Sequence, residues 1–130
     1  MTLGDPFAGL RVEPLVVHID ARGALYRAFP HPVGGEVYLV SFAPGASRGH
    51  HLHRHSGEWF AGIQGEPLLV VADPASGARR VIPLAEQRVR VPAGLAHAIF
   101  APPGEACLVA AAMDQPHDPG DVVPCPLERP

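Results

Sequence analysis

Gly45-Ala46-Ser47-Arg48-Gly49-His50-His51-Leu52-His53-Arg54-His55-Ser56-Gly57-Glu58 holds four of the chain's eight histidines, at positions 50, 51, 53 and 55. In extended backbone, side chains two apart share a face. His51 and His53 therefore project together, while His50, Leu52 and Arg54 project the other way. Two adjacent imidazoles can chelate a metal, or one can accept a proton while the other orients a ligand. Taken alone, the cluster is also compatible with a solvated polar loop. Two further groups extend it. Glu58 follows His53 after four residues, and Pro92-Ala93-Gly94-Leu95-Ala96-His97 brings another histidine behind a turn.

Outward from this stretch, short apolar runs alternate with proline and glycine. The predicted strands are Leu15–Ile19, Ala24–Phe29, Glu36–Phe42, Trp59–Ile63, Leu68–Ala72, Arg79–Ile82, Arg88–Val91, Ala98–Ala101 and Cys107–Met113. Turn chemistry separates them at Ala43-Pro44-Gly45, Asp73-Pro74 through Gly77, Pro92-Ala93-Gly94 and Pro102-Pro103-Gly104. Leu84–Gln87 reads as a short turn or bulge. Many short strands without helical periodicity predict an all-β sandwich, jelly roll or barrel. The length of 130 residues suits one domain over 1–130, with a core at about 15–114. The segment from about 115 to 130 is rich in proline and acid, and reads as an irregular tail packed on the barrel or on a partner.

Composition removes several classes of function. The net charge is −3, with no run of like charge. That argues against a nucleic-acid or membrane-surface partner held by charge. The longest apolar runs, Leu68–Ala72 and Ala106–Met113, are too short to span a bilayer. Met1–Ala8 lacks the features of a signal peptide, so a cytoplasmic location is expected. All ten basic residues are arginine, which excludes a Schiff base on a protein lysine. No organic cofactor is implied. The spacing of Cys107 and Cys125 matches no zinc or redox motif. Cys107 reads as core, and a disulfide is not expected in a reducing compartment. His18, His31 and His117 read as surface or loop residues, and His55 as a spare polar group.

The spacing Gly45-x5-His51-x-His53-x4-Glu58-x6-Gly65, followed by Pro92-x-Gly94-x2-His97, resembles the two signature motifs of the cupin superfamily. The resemblance implies a double-stranded β-helix, the jelly-roll barrel, with a site at its mouth. In metal-binding cupins the positions of His51, His53, Glu58 and His97 form a three-histidine, one-glutamate site, and every position is filled here. Such a set suits divalent manganese, iron, nickel, cobalt, copper or zinc. Two positions depart from the second motif. Glu86 stands where a glycine is usual, and Ala101 where an asparagine is frequent.

A closer resemblance covers roughly residues 15 to 123. Asp20-Ala21-Arg22-Gly23-Ala24-Leu25, Pro44 through Arg54, Val91 through His97, and a degraded terminal segment from Asp114 to Asp121 are similar to segments of two families. These are the dTDP-4-dehydrorhamnose 3,5-epimerases and the dTDP-sugar 3,4-ketoisomerases. The resemblance implies proton transfer beside the carbonyl of a 4-keto sugar, with a nucleotide sugar as the small-molecule ligand. His51 stands where the epimerases carry their base, and His53 at the second histidine of the ketoisomerase pattern. Tyr38 is the candidate acid or ligand contact. Arg48 is the candidate for a phosphate or sugar oxygen, and Trp59 a candidate for stacking on the sugar. The tail has Gln115-Pro116-His117 where these enzymes carry tyrosines. The epimerases take an aspartate partner for the base from a longer C-terminal region, which this resemblance does not supply. Glu58 restores a full metal site to a lineage that often works without one. Two other readings stay open: a metal-dependent cupin enzyme such as an oxygenase or small-molecule isomerase, and a non-catalytic ligand-binding cupin. A homodimer is expected, with Leu10–Ile19 as the segment exchanged.

Overall fold

In the computed structural model, residues 4–30 and 32–130 are described. Met1–Leu3 and His31 lie outside the described residues, so the expectation for His31 is not addressed. The strands run β1 (Arg11–Pro14), β2 (Val16–Asp20), β3 (Gly23–Arg27), β4 (Val37–Phe42), β5 (Ser47–His53) and β6 (Glu58–Gln64). They continue with β7 (Leu68–Ala72), β8 (Arg79–Pro83), β9 (Gln87–Val91), β10 (Ala96–Phe100), β11 (Cys107–Met113) and β12 (Val122–Pro124). Among the described residues no helix is long and apolar enough to cross a membrane.

Two five-stranded antiparallel sheets face each other, in the orders β1-β9-β6-β11-β4 and β12-β5-β10-β7-β8. This is the jelly roll of a cupin. The alternation of the strands explains the core. Phe42, Phe60, Leu69, Val71, Val89, Val91 and Val109 turn inward and pack between the sheets. Burying side chains of this size stabilises by about 1.5–3 kcal/mol each. The turns follow the sequence chemistry. At Ala43-Pro44-Gly45-Ala46, the Ala46 amide donates to the Ala43 carbonyl at 3.0 Å, with Gly45 at φ 77°. Proline then glycine at the two central positions fits a type II turn.

β2 and β3 form a separate two-stranded hairpin. β1 pairs with β9 of its own chain, Val12 opposite Val89. A small cluster of Leu15, Ala61 and Ala110, with Ala28, Phe29 and Ile63, lies apart from the main core.

The C-terminal segment departs from its expectation as an irregular tail. Pro119–Asp121 makes a single 3-10 turn, capped by Asp118 accepting from the Gly120 amide. β12 then pairs with β5, with Val122 opposite His53 and Pro124 opposite His51. The segment packs on the barrel through this pairing. A three-residue strand gives little periodicity to read, and its pairing partner lies about seventy positions earlier in the chain.

Candidate functional site

Glu58 opens β6 and His97 lies in β10, while His51 and His53 lie in β5. The two sheets bring these four together, with one ligand atom from each lying within 4.8 Å of the others. His97 sits directly opposite His51 across the strand pair. The turn of the second motif is tied to the first, because the Gly94 amide donates to the His53 carbonyl at 2.8 Å.

Glu58, His53 and His97 are buried, and His51 is half-buried. His53 Nε2 lies 3.3 Å from Glu58 Oε1, and His97 Nε2 lies 3.4 Å from the same oxygen. Among the described residues, no group of the chain makes a well-formed hydrogen bond to His53 Nε2, Glu58 Oε1 or His97 Nδ1. Buried polar atoms are ordinarily satisfied, so His53 Nε2 and Glu58 Oε1, which face each other at 3.3 Å without a well-formed bond, call for a ligand.

The charges are arranged accordingly. Burial pushes the Glu58 carboxyl up, but His53, His97 and the Tyr38 hydroxyl outweigh it and hold it at about 2. The Glu58 carboxylate raises the His53 ring above its ordinary value against the cost of burial, and Asp121 adds to that pull. Burial and the neighbouring imidazoles lower His51 to about 4. Burial and the Glu58 charge push the Tyr38 hydroxyl far above its usual range, so it remains protonated. Tyr38 donates its hydroxyl hydrogen to Glu58 Oε2.

Two supports lie behind this group. Asp121 Oδ2 stands 3.1 Å from His53 Nδ1, while its Oδ1 accepts from the His55 amide at 2.6 Å. Arg90 donates to Asp114 Oδ2 at 2.6 Å, and the Gly57 amide donates to the same oxygen at 3.2 Å. That pair fixes the backbone immediately before Glu58. Asp121, from the short C-terminal segment, meets His53 rather than His51. Its signal in the sequence was the degraded terminal segment ending at Asp121.

A cavity of about 450 Å³ opens beside the cluster, lined by Tyr38, Arg48, His51, Phe60, His97 and Ile99 among others. Arg48 and His51 share this wall although they stand three positions apart. A β-bulge at His50 changes the alternation: His97 pairs with His51, whereas Ala98 pairs with Gly49. Gly49 (φ 98°) suits this bulge for two reasons. Its conformation favours glycine, and a Cβ there would come within 3.0 Å of the His97 carbonyl oxygen.

Trp59 corrects the expectation of a stacking contact in this cavity. It alternates with Glu58 on β6, so it faces away from the cluster. It is buried, with the Arg88 guanidinium 5.9 Å from its ring centre. Cys107 is buried as expected for core, and it and Cys125 are both free.

The donor set fits a divalent cation. Three imidazoles and one ionised carboxylate converge, His53 Nε2 and Glu58 Oε1 lack a well-formed hydrogen bond, and a second carboxylate orients His53 from behind.

The jelly-roll barrel is that of an RmlC-like cupin. The chain belongs to the polysaccharide biosynthesis C-terminal domain family, whose sequence profile matches residues 18–121. No curated protein matches the chain.

Solved structures share the fold. A dTDP sugar isomerase from Desulfovibrio desulfuricans G20 is 21% identical, with 92% of this chain and 85% of that one covered and a TM-score of 0.83. ChmJ, a 3'-monoepimerase from Streptomyces bikiniensis in complex with dTDP-quinovose, is 21% identical. There, 88% of this chain and 68% of that one are covered, with a TM-score of 0.76. QdtA, a sugar 3,4-ketoisomerase from Thermoanaerobacterium thermosaccharolyticum in complex with TDP, is 15% identical. It covers 89% of this chain and 88% of its own, with a TM-score of 0.71.

Proposed function

We propose that this chain is a sugar-nucleotide isomerase or epimerase-like enzyme that moves a proton beside the carbonyl of a 4-keto sugar. The observation that carries the reading is the cavity wall, where half-buried His51 stands with Arg48 and the Tyr38 hydroxyl. The ligands named for the structural relatives, dTDP-quinovose and TDP, support a nucleotide sugar as the substrate class.

The chemistry follows from the groups present. A ketone at C4 acidifies the hydrogen on C3. His51 is neutral throughout the neutral range, so its ring nitrogen can accept that proton. The C–H bonding pair then moves toward the carbonyl oxygen, giving an enolate. Returning the proton to the opposite face of C3 inverts that centre. If the C3 hydroxyl instead loses its proton and C4 gains one, the ketone moves to C3. Tyr38 stays protonated and lines the cavity; its hydroxyl hydrogen rests on Glu58 Oε2, and turning it from there to the sugar oxygen would make Tyr38 the candidate donor. Arg48 offers a planar fork for a phosphate or sugar oxygen.

The orphaned atoms favour a second reading, a metal-dependent cupin enzyme. His51, His53, Glu58 and His97 would hold a divalent manganese, iron, nickel, cobalt, copper or zinc ion. Bound there, such an ion supplies Lewis-acid polarisation of a carbonyl oxygen. Elemental analysis after loading tests it. Less than about a tenth of an equivalent would overturn a stable site of this kind. The proposed location is the cytoplasm, and the proposed assembly is a homodimer.

The proton-transfer reading is tested by incubating the protein with dTDP-4-keto-6-deoxyglucose in deuterated water. Deuterium is expected in the sugar ring, at a rate sharply reduced in His51→Ala. No incorporation above that of His51→Ala would overturn a sugar-ketone substrate.

A further inference from the structure

We propose that His50 is a positioning residue: it holds the β5 bulge against the C-terminal segment and thereby keeps Arg48 and His51 on one cavity wall. The proposal rests on the reading of that cavity as the ligand site, and adds a residue that does not itself face it.

Strand geometry sets the problem. In an unbroken strand, residues three apart point to opposite faces. Arg48 and His51 face the same cavity only because one residue between them is left out of the pairing. That residue is His50, at φ 57°, a left-handed conformation that costs a residue other than glycine. Something must compensate for it.

The C-terminal segment supplies the compensation. The Cys125 amide donates to the His50 carbonyl at 2.7 Å. The Leu127 amide donates to His50 Nδ1 at 3.0 Å. With Nδ1 accepting, the proton sits on Nε2, which faces Ser47 Oγ at 2.9 Å. The ring packs edge-on against Phe100 at 5.5 Å. Beyond it, Leu127 packs on Val70, Ala98 and Phe100, while Arg129 donates to the Ala101 carbonyl at 3.1 Å and also to the Gly45 carbonyl. The tail therefore crosses both ends of the bulged region, and His50 is the side chain it grips.

β12 independently holds His51 and Leu52 in register. If the bulge relaxed, the part of β5 ahead of it would turn, and Arg48 would leave the cavity before His51 did. The consequence is selective: the cation is lost while the histidines stay.

The test compares His50→Ala, His50→Gly and His50→Asn in the full chain. Asparagine tolerates the left-handed region, and its Oδ1 can accept from the Leu127 amide. Glycine frees the backbone but removes the anchor. Without any ligand, NMR should show contacts between the Arg48 side chain and the Ile99 methyl groups, which face each other across β5 and β10. His50→Ala should lose those contacts, His50→Gly, which has no left-handed strain to offset, should keep them, and His50→Asn should restore them. Affinity for dTDP, measured by calorimetry, should fall about tenfold or more in the alanine variant and recover in the asparagine variant. Retained Arg48–Ile99 contacts in the alanine variant would overturn the proposal. Should the alanine variant not fold, His50→Phe decides, since it keeps the strain and the ring against Phe100 but lacks the Nδ1 acceptor, and should lose the contacts. If the wild type shows the contacts but binds no dTDP, the nucleotide reading fails, and the NMR series still decides the role of His50.

Discussion

Asp121 reaches across 68 positions of sequence to place its Oδ2 3.1 Å from His53 Nδ1. With Nδ1 engaged, Nε2 is left facing Glu58. Carboxylates placed behind a histidine in this way fix its tautomer and raise its basicity toward a metal. Asp121→Asn should therefore weaken cobalt(II) or zinc binding by about tenfold to a hundredfold. Competition against a chromophoric chelator measures it. Unchanged affinity would show that Asp121 only pins the chain through the His55 amide.

The histidines should give the metal-free protein opposing pH dependences. His51 is lowered to about 4 in the folded state from an ordinary value of 6.5. The unfolded chain thus takes up that proton first, and the His51 contribution to stability is lost as pH falls from 6.5 toward 4. His53 is raised, so its contribution is full below the ordinary histidine value and is lost as pH rises through its folded value. Thermal midpoints across pH 4 to 8 check this, with His51→Gln expected to flatten the acid side. An acid-side fall of the same depth in His51→Gln would remove His51 as its cause.

Glu86 illustrates a departure in sequence that the backbone did not follow. It stands where the second cupin motif usually has glycine, and it adopts φ 60°, the conformation that glycine takes readily. The side chain is exposed, so nothing in the core depends on it. Releasing left-handed strain gains about 1–2 kcal/mol, and the extra freedom of glycine in the unfolded chain costs about 0.5–1 kcal/mol. Glu86→Gly should thus raise stability by up to about 1 kcal/mol, read from urea denaturation. A loss of stability would mean that the side chain contributes through a contact of its own.

How far the sequence reaches depends on whether the deciding physics is local. Leu68–Ala72 and Cys107–Met113 fall where they were expected, because each is a continuous apolar run between turns. Pairwise alternation also placed His51 with His53, and spacing picked out Glu58 and His97. β1 and β12 were not visible. Each is short and carries proline, and each owes its strand character to a partner distant in the chain. Alternation alone would have put Arg48 opposite His51, since a bulge leaves only Gly49 as its trace. For Trp59 the same alternation, applied from Glu58, already pointed away from the cavity.

The last prediction concerns assembly. Ile19 is 79% exposed and Leu25 52% exposed, and strand pairing puts them on opposite faces of the β2–β3 hairpin. Leu39, on the edge strand β4, is 68% exposed. A two-stranded hairpin is marginal by itself in water, and large exposed apolar side chains are candidates for an association surface. A second copy of the chain would cover both the hairpin and the β4 edge. Light scattering should therefore give a dimer mass at micromolar concentration, and Ile19→Asp combined with Leu39→Asp should give a monomer. Exposed substitutions of this kind alter the stability of an isolated chain by only about 0.5 kcal/mol. The double variant should thus remain folded, which circular dichroism verifies, and loss of mass can be assigned to the interface. A wild-type monomer, or a variant that stays dimeric, would place the contact elsewhere or remove it.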